Sequence, residues 1–350
     1  MSNPRQATSV HRLRTLRGAA APFAKAALLR TGGYAALRRL LPSRNAAILR
    51  YHAICDEAGY AYADPSICIS PAAFEAHVRY LAANYSVMRL DEIVRRLATG
   101  APLPPNAVAV TFDDGYADNL NAARTLHRHG LSATFFLTAG CLADGEPFWL
   151  TEIRRLILAL PAGPVTLSAD AARLHALLDD LNSRNKAIRA LTRLIKSHTI
   201  PVREKLREQL RGLAVCSLPP TDMLRWADVA EMERLGMTIG AHTLTHPNLP
   251  SAQLAAATAE IVGSKRRLEE ALTTPVTLFS YPNGGAERYY TPELQRVVAQ
   301  SGFEAAVSSR NGFAGVGSDL YALERIEVEE RLEDLVFALE VERFAFKPQP

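Results

Sequence analysis

The chain has no run of 18 or more uncharged apolar residues, so a membrane-spanning helix is not expected. Cysteine is scarce. Cys55, Cys68, Cys141 and Cys216 are scattered and form no C-x-x-C pair, which argues against a disulfide framework or a cysteine-rich zinc site. Reduced thiols in the cytoplasm fit this usage. A secretory leader is also not apparent, because the partly apolar stretch 18–29 is broken by Lys25 and followed by Arg30. Acidic residues are absent before Asp56, and no histidine follows His246. No internal repeat or low-complexity segment occurs, which excludes solenoids and arrays.

What is present is an ordinary globular composition with an uneven charge. Of 350 residues, 48% are hydrophobic and 22% charged, enough for a sizeable core. Ten of the 40 basic residues precede Asp56, so the remaining 30 face all 36 acidic ones. A basic extension over residues 1–45 thus precedes a mildly acidic body over 46–350. Residues 10–41 alternate arginine with Ala and Leu, and Gly32-Gly33 splits them into two expected helices. Two readings stand. The helices lie on an anionic membrane surface, holding the protein at the inner membrane face, or they pack on the body with their arginines in water. Nucleic acid is not an expected partner, since the basic residues carry no interleaved aromatics and no recognisable module.

Past Pro42-Ser43 the pattern becomes strand, helix, strand. Ala46–His52 reads as a first strand ending in a histidine. Ser70-Pro71 opens a helix with a cap and a first-turn proline. Further strands are expected at 85–88, 107–110, 133–138, 237–241, 276–279 and 303–307, with helices at 91–97, 119–129, 251–272 and 292–300. Repeated strand–helix units imply an α/β fold with parallel strands inside a layer of helices. Between about 150 and 215 the leucine spacing, including Leu174, Leu177, Leu178 and Leu181, predicts an insertion of three or four helices. Trp149 and Trp226 read as core or insertion contacts more readily than as sugar-stacking platforms.

Chemistry concentrates at two points. Asp113 and Asp114 stand side by side after the apolar run 107–110, with Gly115 permitting a sharp turn. Adjacent carboxylates are electrostatically costly unless a cation is near. His242-Thr243-Leu244-Thr245-His246 offers the partners: one Asp and two His make an open metal site with room for a water. Pro247 disfavours helical geometry at His246, so the imidazoles are expected to converge from a strand end and the following turn.

These pieces, in this order, resemble the NodB-homology polysaccharide deacetylases. Thr111–Gly115 matches that family's T-F-D-D-G motif, and His242–His246 its H-[ST]-x-x-H motif. Tyr51-His52 resembles the Y-H that ends the first strand, and Phe279–Gly284 an aromatic-x-Y-P-x-G form of the third motif. The similarity spans roughly residues 46–345 apart from the insertion. It implies a distorted, incomplete (β/α) barrel that deacetylates N-acetylated, sometimes O-acetylated, sugars with a divalent metal.

By that resemblance Asp114, His242 and His246 hold the metal, most naturally zinc, with cobalt, nickel or manganese as alternatives. Asp113 is the base, a water activated by the metal is the nucleophile, and a backbone N–H at Asn283 stabilises the oxyanion. Two features depart from the family. Its third motif begins with an arginine that holds the catalytic aspartate, where this chain has Ser280. Arg325 is the candidate substitute, or else an ordinary surface arginine. The family's late histidine is missing too, leaving His52 as candidate proton donor, or as a histidine bonded into the barrel floor. The expected activity is removal of the acetyl group from an N-acetylated hexosamine in a polysaccharide or glycolipid. The alternatives are a degenerate glycan-binding protein and an amide hydrolase for a small non-sugar substrate.

Overall fold

The computed structural model of the protein describes residues 22–142, 145–214, 222–272, 274–284 and 289–345. The first half of the basic extension, including His11–Arg17, and Cys216 lie outside the described residues.

Seven parallel strands close into a ring. In order around it they are β1 (Ala47–Tyr51), β10 (Leu323–Glu327), β9 (Ala305–Asn311), β8 (Leu278–Ser280), β7 (Thr238–Ala241), β4 (Thr134–Leu137) and β3 (Ala107–Phe112). The pairing of β3 with β1 shuts the barrel, and the two-residue β2 (Ser86–Val87) pairs with the first residues of β3. The ring is therefore closed, with one strand fewer than the eight of a complete (β/α) barrel.

Strand alternation sorts the side chains. Ile48, Ala109, Phe136, Leu278, Val307 and Leu323 fill the barrel interior. Leu49, Tyr51, Val110 and Phe112 face outward beneath helices. Both faces are covered, which is why the strands read as unbroken apolar runs. Ser70 caps α3 (Pro71–Asn84), accepting from the Ala73 N–H at 3.2 Å with Pro71 in the first turn.

The first two described helices, α1 (Pro22–Arg30) and α2 (Gly33–Leu40), dock on the last one, α12 (Leu332–Glu340). Tyr34 is buried against Val336 and Phe337. Lys25 pairs with Asp334 at 2.7 Å, and Arg38 with Glu340 at 3.0 Å. Those two cations face protein carboxylates, while Phe23, Leu28, Leu40 and Leu41 remain exposed.

The insertion differs from its expected all-helical form. Between α6 (Trp149–Ala159) and α7 (Leu181–Lys196) lies an antiparallel hairpin, β5 (Pro164–Ala169) and β6 (Ala172–Leu177), and α8 (Ile200–Leu213) completes the unit. Leu174 and Leu177 sit in a strand. Leucines at 174, 177, 178 and 181 happen to match helical spacing, but the working period is two. Leu167, Ala169, Ala172 and Leu174 are buried, whereas Ser168, Arg173 and His175 face solvent. Asp170 adopts φ 53° in the two-residue turn between the strands. The unit has its own core of Trp149, Ile153, Leu167, Leu191, Leu206 and Leu210.

The cysteines are less scattered in space than in sequence. A bridge between Ala53 and Cys68 brings the Cys55 and Cys68 Sγ atoms to 3.1 Å, both as thiols.

Leu191 is fully buried in the insertion core. Leu191→Ala should cost about 2–5 kcal/mol, read by urea unfolding. A loss below about 1 kcal/mol would mean that this cluster is not close-packed.

Candidate active site

The site lies just past the carboxyl ends of β3, β7 and β8, with Arg325 reaching it from within β10. Four non-glycine residues there adopt left-handed backbone: Asp114 at φ 77°, Thr243 at 66°, His246 at 54° and Asn283 at 72°. Only two other described non-glycine residues, Asn106 and Asp170, do so. Such conformations are uncommon for residues with a Cβ, and their clustering here marks turns held by their surroundings.

Asp114, His242 and His246 converge. The His242 Nε2 lies 3.4 Å and the His246 Nε2 3.3 Å from the Asp114 Oδ1. One ligand atom from each residue lies within 4.8 Å of the others. The second ring nitrogen of His242 donates to the Ser280 carbonyl at 2.7 Å, which leaves its Nε2 lone pair aimed into the site. Burial pushes His246 down to about 3, so it is a neutral ligand-type imidazole at physiological pH. Burial would raise the Asp114 carboxyl, but the hydrogen bond with His242 and the neighbouring imidazoles bring it to about 2. A carboxylate and two imidazoles, all buried and converging, fit a divalent cation of the zinc type.

Asp113 points to a different partner. Arg325, only 1% exposed, grips it with both arms of its fork, Nη1 to Oδ1 at 2.8 Å and Nη2 to Oδ2 at 2.6 Å. The remaining donors reach Ser308 O at 2.8 Å, Thr111 Oγ1 at 3.2 Å and Ser280 Oγ at 3.1 Å. Five bonds match the five N–H groups of a guanidinium. Burial disfavours the Asp113 charge, yet Arg325 and then His242 outweigh it and hold the carboxyl well below its usual range. Arg325 is thus a buried arginine and not a surface one. Ser280, at the position where an arginine was expected, hydrogen-bonds to it.

His52 follows β1 at the rim and is half-buried. Its carbonyl accepts from Asn119 at 2.8 Å, while its ring makes no hydrogen bond among the described residues. Burial lowers its pKa, partly offset by Asp114 and Asp113. Asn283 lies beyond β8, and its side-chain amide donates to the Pro247 carbonyl at 3.3 Å. The Asn283 N–H meets no backbone carbonyl of the described residues.

Several supports were not read from the sequence. Glu260, on α10 (Leu254–Leu272), accepts the Leu244 N–H at 2.9 Å, the Thr245 N–H at 2.8 Å and the Thr245 hydroxyl at 2.6 Å. Arg203 of the insertion donates to the Thr245 carbonyl and hydroxyl, each at 2.9 Å. Trp149 donates its indole N–H to the His246 carbonyl at 3.0 Å. Neither Glu260 nor Arg203 stands in a motif. Trp226 is half-buried over Arg267.

A closed parallel barrel with a carboxylate–imidazole triad and an arginine-bound aspartate at its mouth defines a barrel hydrolase with a site able to hold a divalent cation. The sequence profile described as polysaccharide deacetylase matches residues 100–306, more than half of the chain. The chain belongs to this family, hydrolases acting on carbon–nitrogen bonds. It is 22% identical over 297 residues to YxkH of Bacillus subtilis, a protein assigned by name to the polysaccharide deacetylases, covering 84% of this chain and 75% of that one. Among solved structures it resembles the Streptococcus pyogenes deacetylase PplD in complex with acetate, with a TM-score of 0.57, 20% identity and coverage of 85% and 99%. IcaB from Ammonifex degensii follows at TM-score 0.55 and 16% identity, covering 86% and 99%. At these identities the structural likeness establishes the fold.

The buried histidines make stability pH-dependent. His77, under Tyr51, is pushed down to about 4 and His246 to about 3, both from 6.5. Below pH 6.5 the unfolded chain takes up protons that the folded chain refuses, so stability falls as pH falls. The metal-free protein should lose roughly 3 kcal/mol per histidine by pH 4, as an upper figure. Urea unfolding at pH 4–8 reads this, and a flat profile between pH 6.5 and 4 would contradict it.

Proposed function

We propose that the protein hydrolyses the acetamide of an N-acetylated hexosamine in a polysaccharide or glycolipid. The observation that carries this reading is the saturated Arg325–Asp113 pair beside the Asp114–His242–His246 triad. When held by that triad, a divalent ion, zinc in the first instance, supplies Lewis-acid activation of a water and polarisation of the acetamide carbonyl.

The chain's own residues do the rest. Asp113 is ionised at physiological pH and accepts the proton of the attacking water. Its low basicity is the cost of being held by Arg325. In return its geometry is fixed by two parallel hydrogen bonds. The Asn283 N–H, presented by a left-handed turn, donates to the developing oxyanion. His52 delivers a proton to the departing amine. Its depressed pKa makes a standing imidazolium unfavourable, so the proton it gives is the one Asp113 takes from the water, passed on during turnover. Acetate is the expected second product, and it is the ligand named in the PplD complex.

The reasons to consider a degenerate glycan-binding protein are the arginine missing at position 280 and the absent late histidine. Arg325 supplies a guanidinium to the same carboxylate, which favours turnover. For location, we retain the cytoplasm with peripheral contact at the inner membrane face. Exposed Phe23, Leu28, Leu40 and Leu41 on the basic α1–α2 pair support that contact.

Asp113→Asn in the zinc-loaded protein should lower acetate release from N-acetylglucosamine oligomers by about 100-fold or more with metal content unchanged. Tight glycan binding by the wild type without any acetate release would favour the binding-protein reading. His52→Ala should slow turnover by about 100-fold, and unchanged kcat would exclude it as proton donor.

A further inference from the structure

A second arginine lies in the barrel mouth, and nothing in the proposed chemistry uses it. Arg50 on β1 is level with Thr111 on one neighbouring strand and Glu327 on the other, one inward layer nearer the carboxyl ends than Arg325. It is 8% exposed. Arg325 saturates its five donors, but Arg50 does not. The Arg50 Nε has no hydrogen-bond partner among the described residues. Its one ion pair, Nη2 to the Glu327 Oε1, is long at 3.5 Å, and that glutamate is half exposed. Asp113, the next carboxylate whose charge it feels, is already taken by Arg325. The Arg50 Nη1 faces the third-motif turn: a Cβ added to Gly284 would stand 3.0 Å from it. Burial, and then the charge of Arg325, lower the Arg50 pKa, the direction expected of a cation short of counter-charge.

A second under-used cation comes from the insertion. Lys196 ends α7, and its carbonyl accepts from Asn248 at 2.6 Å and Ser251 at 2.9 Å. Those bonds fasten the helix end to the loop that follows His246. The Lys196 ammonium is half-buried and meets no partner among the described residues. Its field reaches Asp114 and His246. The field of Arg50 reaches Asp114 as well, so both cations act on the same triad carboxylate.

Buried or half-buried cations without saturated counter-ions are unfavourable unless an anion joins them. A neutral sugar offers them hydroxyl acceptors but no counter-charge. A phosphate or carboxylate does, through the planar fork of arginine and the point charge of lysine. We propose that Arg50 and Lys196 form an anion subsite, and that the sugar substrate carries a phosphate or carboxylate near the acetamide that is cut. This rests on the deacetylase reading of the same site.

The experiment compares three substrates with the zinc-loaded full chain: an N-acetylglucosamine oligomer, N-acetylglucosamine 1-phosphate and N-acetylmuramic acid. At least one anionic substrate should have a kcat/KM about tenfold above the neutral one, and the favoured arm names the group. Arg50→Gln and Lys196→Gln should each shrink that ratio, chiefly through KM, and Arg50→Lys should restore part of it. Binding of the same two anionic sugars to Asp113→Asn, measured by calorimetry, should weaken about tenfold when Arg50→Gln is added. Arg50→Met should keep or raise the melting temperature, whereas an arginine serving the fold would lower it. If Arg50→Gln does not fold, Lys196→Gln alone decides. Equal kcat/KM on all three sugars, untouched by either substitution, overturns the subsite and leaves the deacetylase reading standing. No acetate from any of them, with Arg50-dependent binding of an anionic sugar, keeps the subsite and removes the deacetylase reading.

Discussion

The site depends on one guanidinium. Arg325 rises from β10 and bonds to Ser308 on β9, Ser280 on β8 and Thr111 on β3 before it reaches Asp113. It therefore ties four strands of the ring together directly beneath the chemistry. A buried ion pair is a poor source of net stability, because desolvating two charges offsets most of their attraction. What it gives is direction. With every donor of Arg325 committed, the carboxylate of Asp113 has one orientation, and Asp114, the next residue, must turn away into a left-handed conformation to face the histidines. Two adjacent carboxylates thereby acquire different partners and different tasks.

That turn is one of four strained positions, and each has a visible restraint. Thr243 and His246 bracket a loop whose N–H groups end on Glu260 and whose carbonyls end on Arg203 and Trp149. Asn283 is tied to Pro247, which links the third-motif turn to the histidine loop. Left-handed backbone costs roughly 1–2 kcal/mol per residue. A loop bound to a buried carboxylate and a buried guanidinium can sustain that cost. The rigidity keeps the ligand atoms within reach of one ion before any ion arrives.

Much of this was legible in the sequence, and the rest was not for identifiable reasons. The barrel strands announced themselves because both faces are buried and the runs are short and apolar. T-F-D-D-G and H-T-L-T-H are local, so the convergence of Asp113, Asp114, His242 and His246 could be expected. Arg325 stood out only as a gap-filler for Ser280; nothing local distinguishes a buried arginine in a strand from an exposed one. Glu260 and Arg203 carry no local signal at all, since their importance lies in backbone groups more than ten residues away. The hairpin was missed because Leu174, Leu177, Leu178 and Leu181 satisfy helical spacing by coincidence. The alternation of Leu167, Ala169, Ala172 and Leu174 becomes visible only once the turn at Asp170 is recognised.

The insertion is the part whose meaning changes most. Read as leucine-rich scaffolding, it has a core of its own and no need of the barrel. Yet its polar contacts run to the histidine loop. Trp149, from the start of α6, and Arg203, from α8, hold the main chain of that loop, while the carbonyl of Lys196, from the end of α7, anchors Asn248 and Ser251 just beyond it. Three helices of one unit meet the same short segment. A unit that only filled space would direct its polar groups to water. This one directs them to the backbone that positions two imidazoles, so the insertion belongs to the site's framework as much as the barrel does.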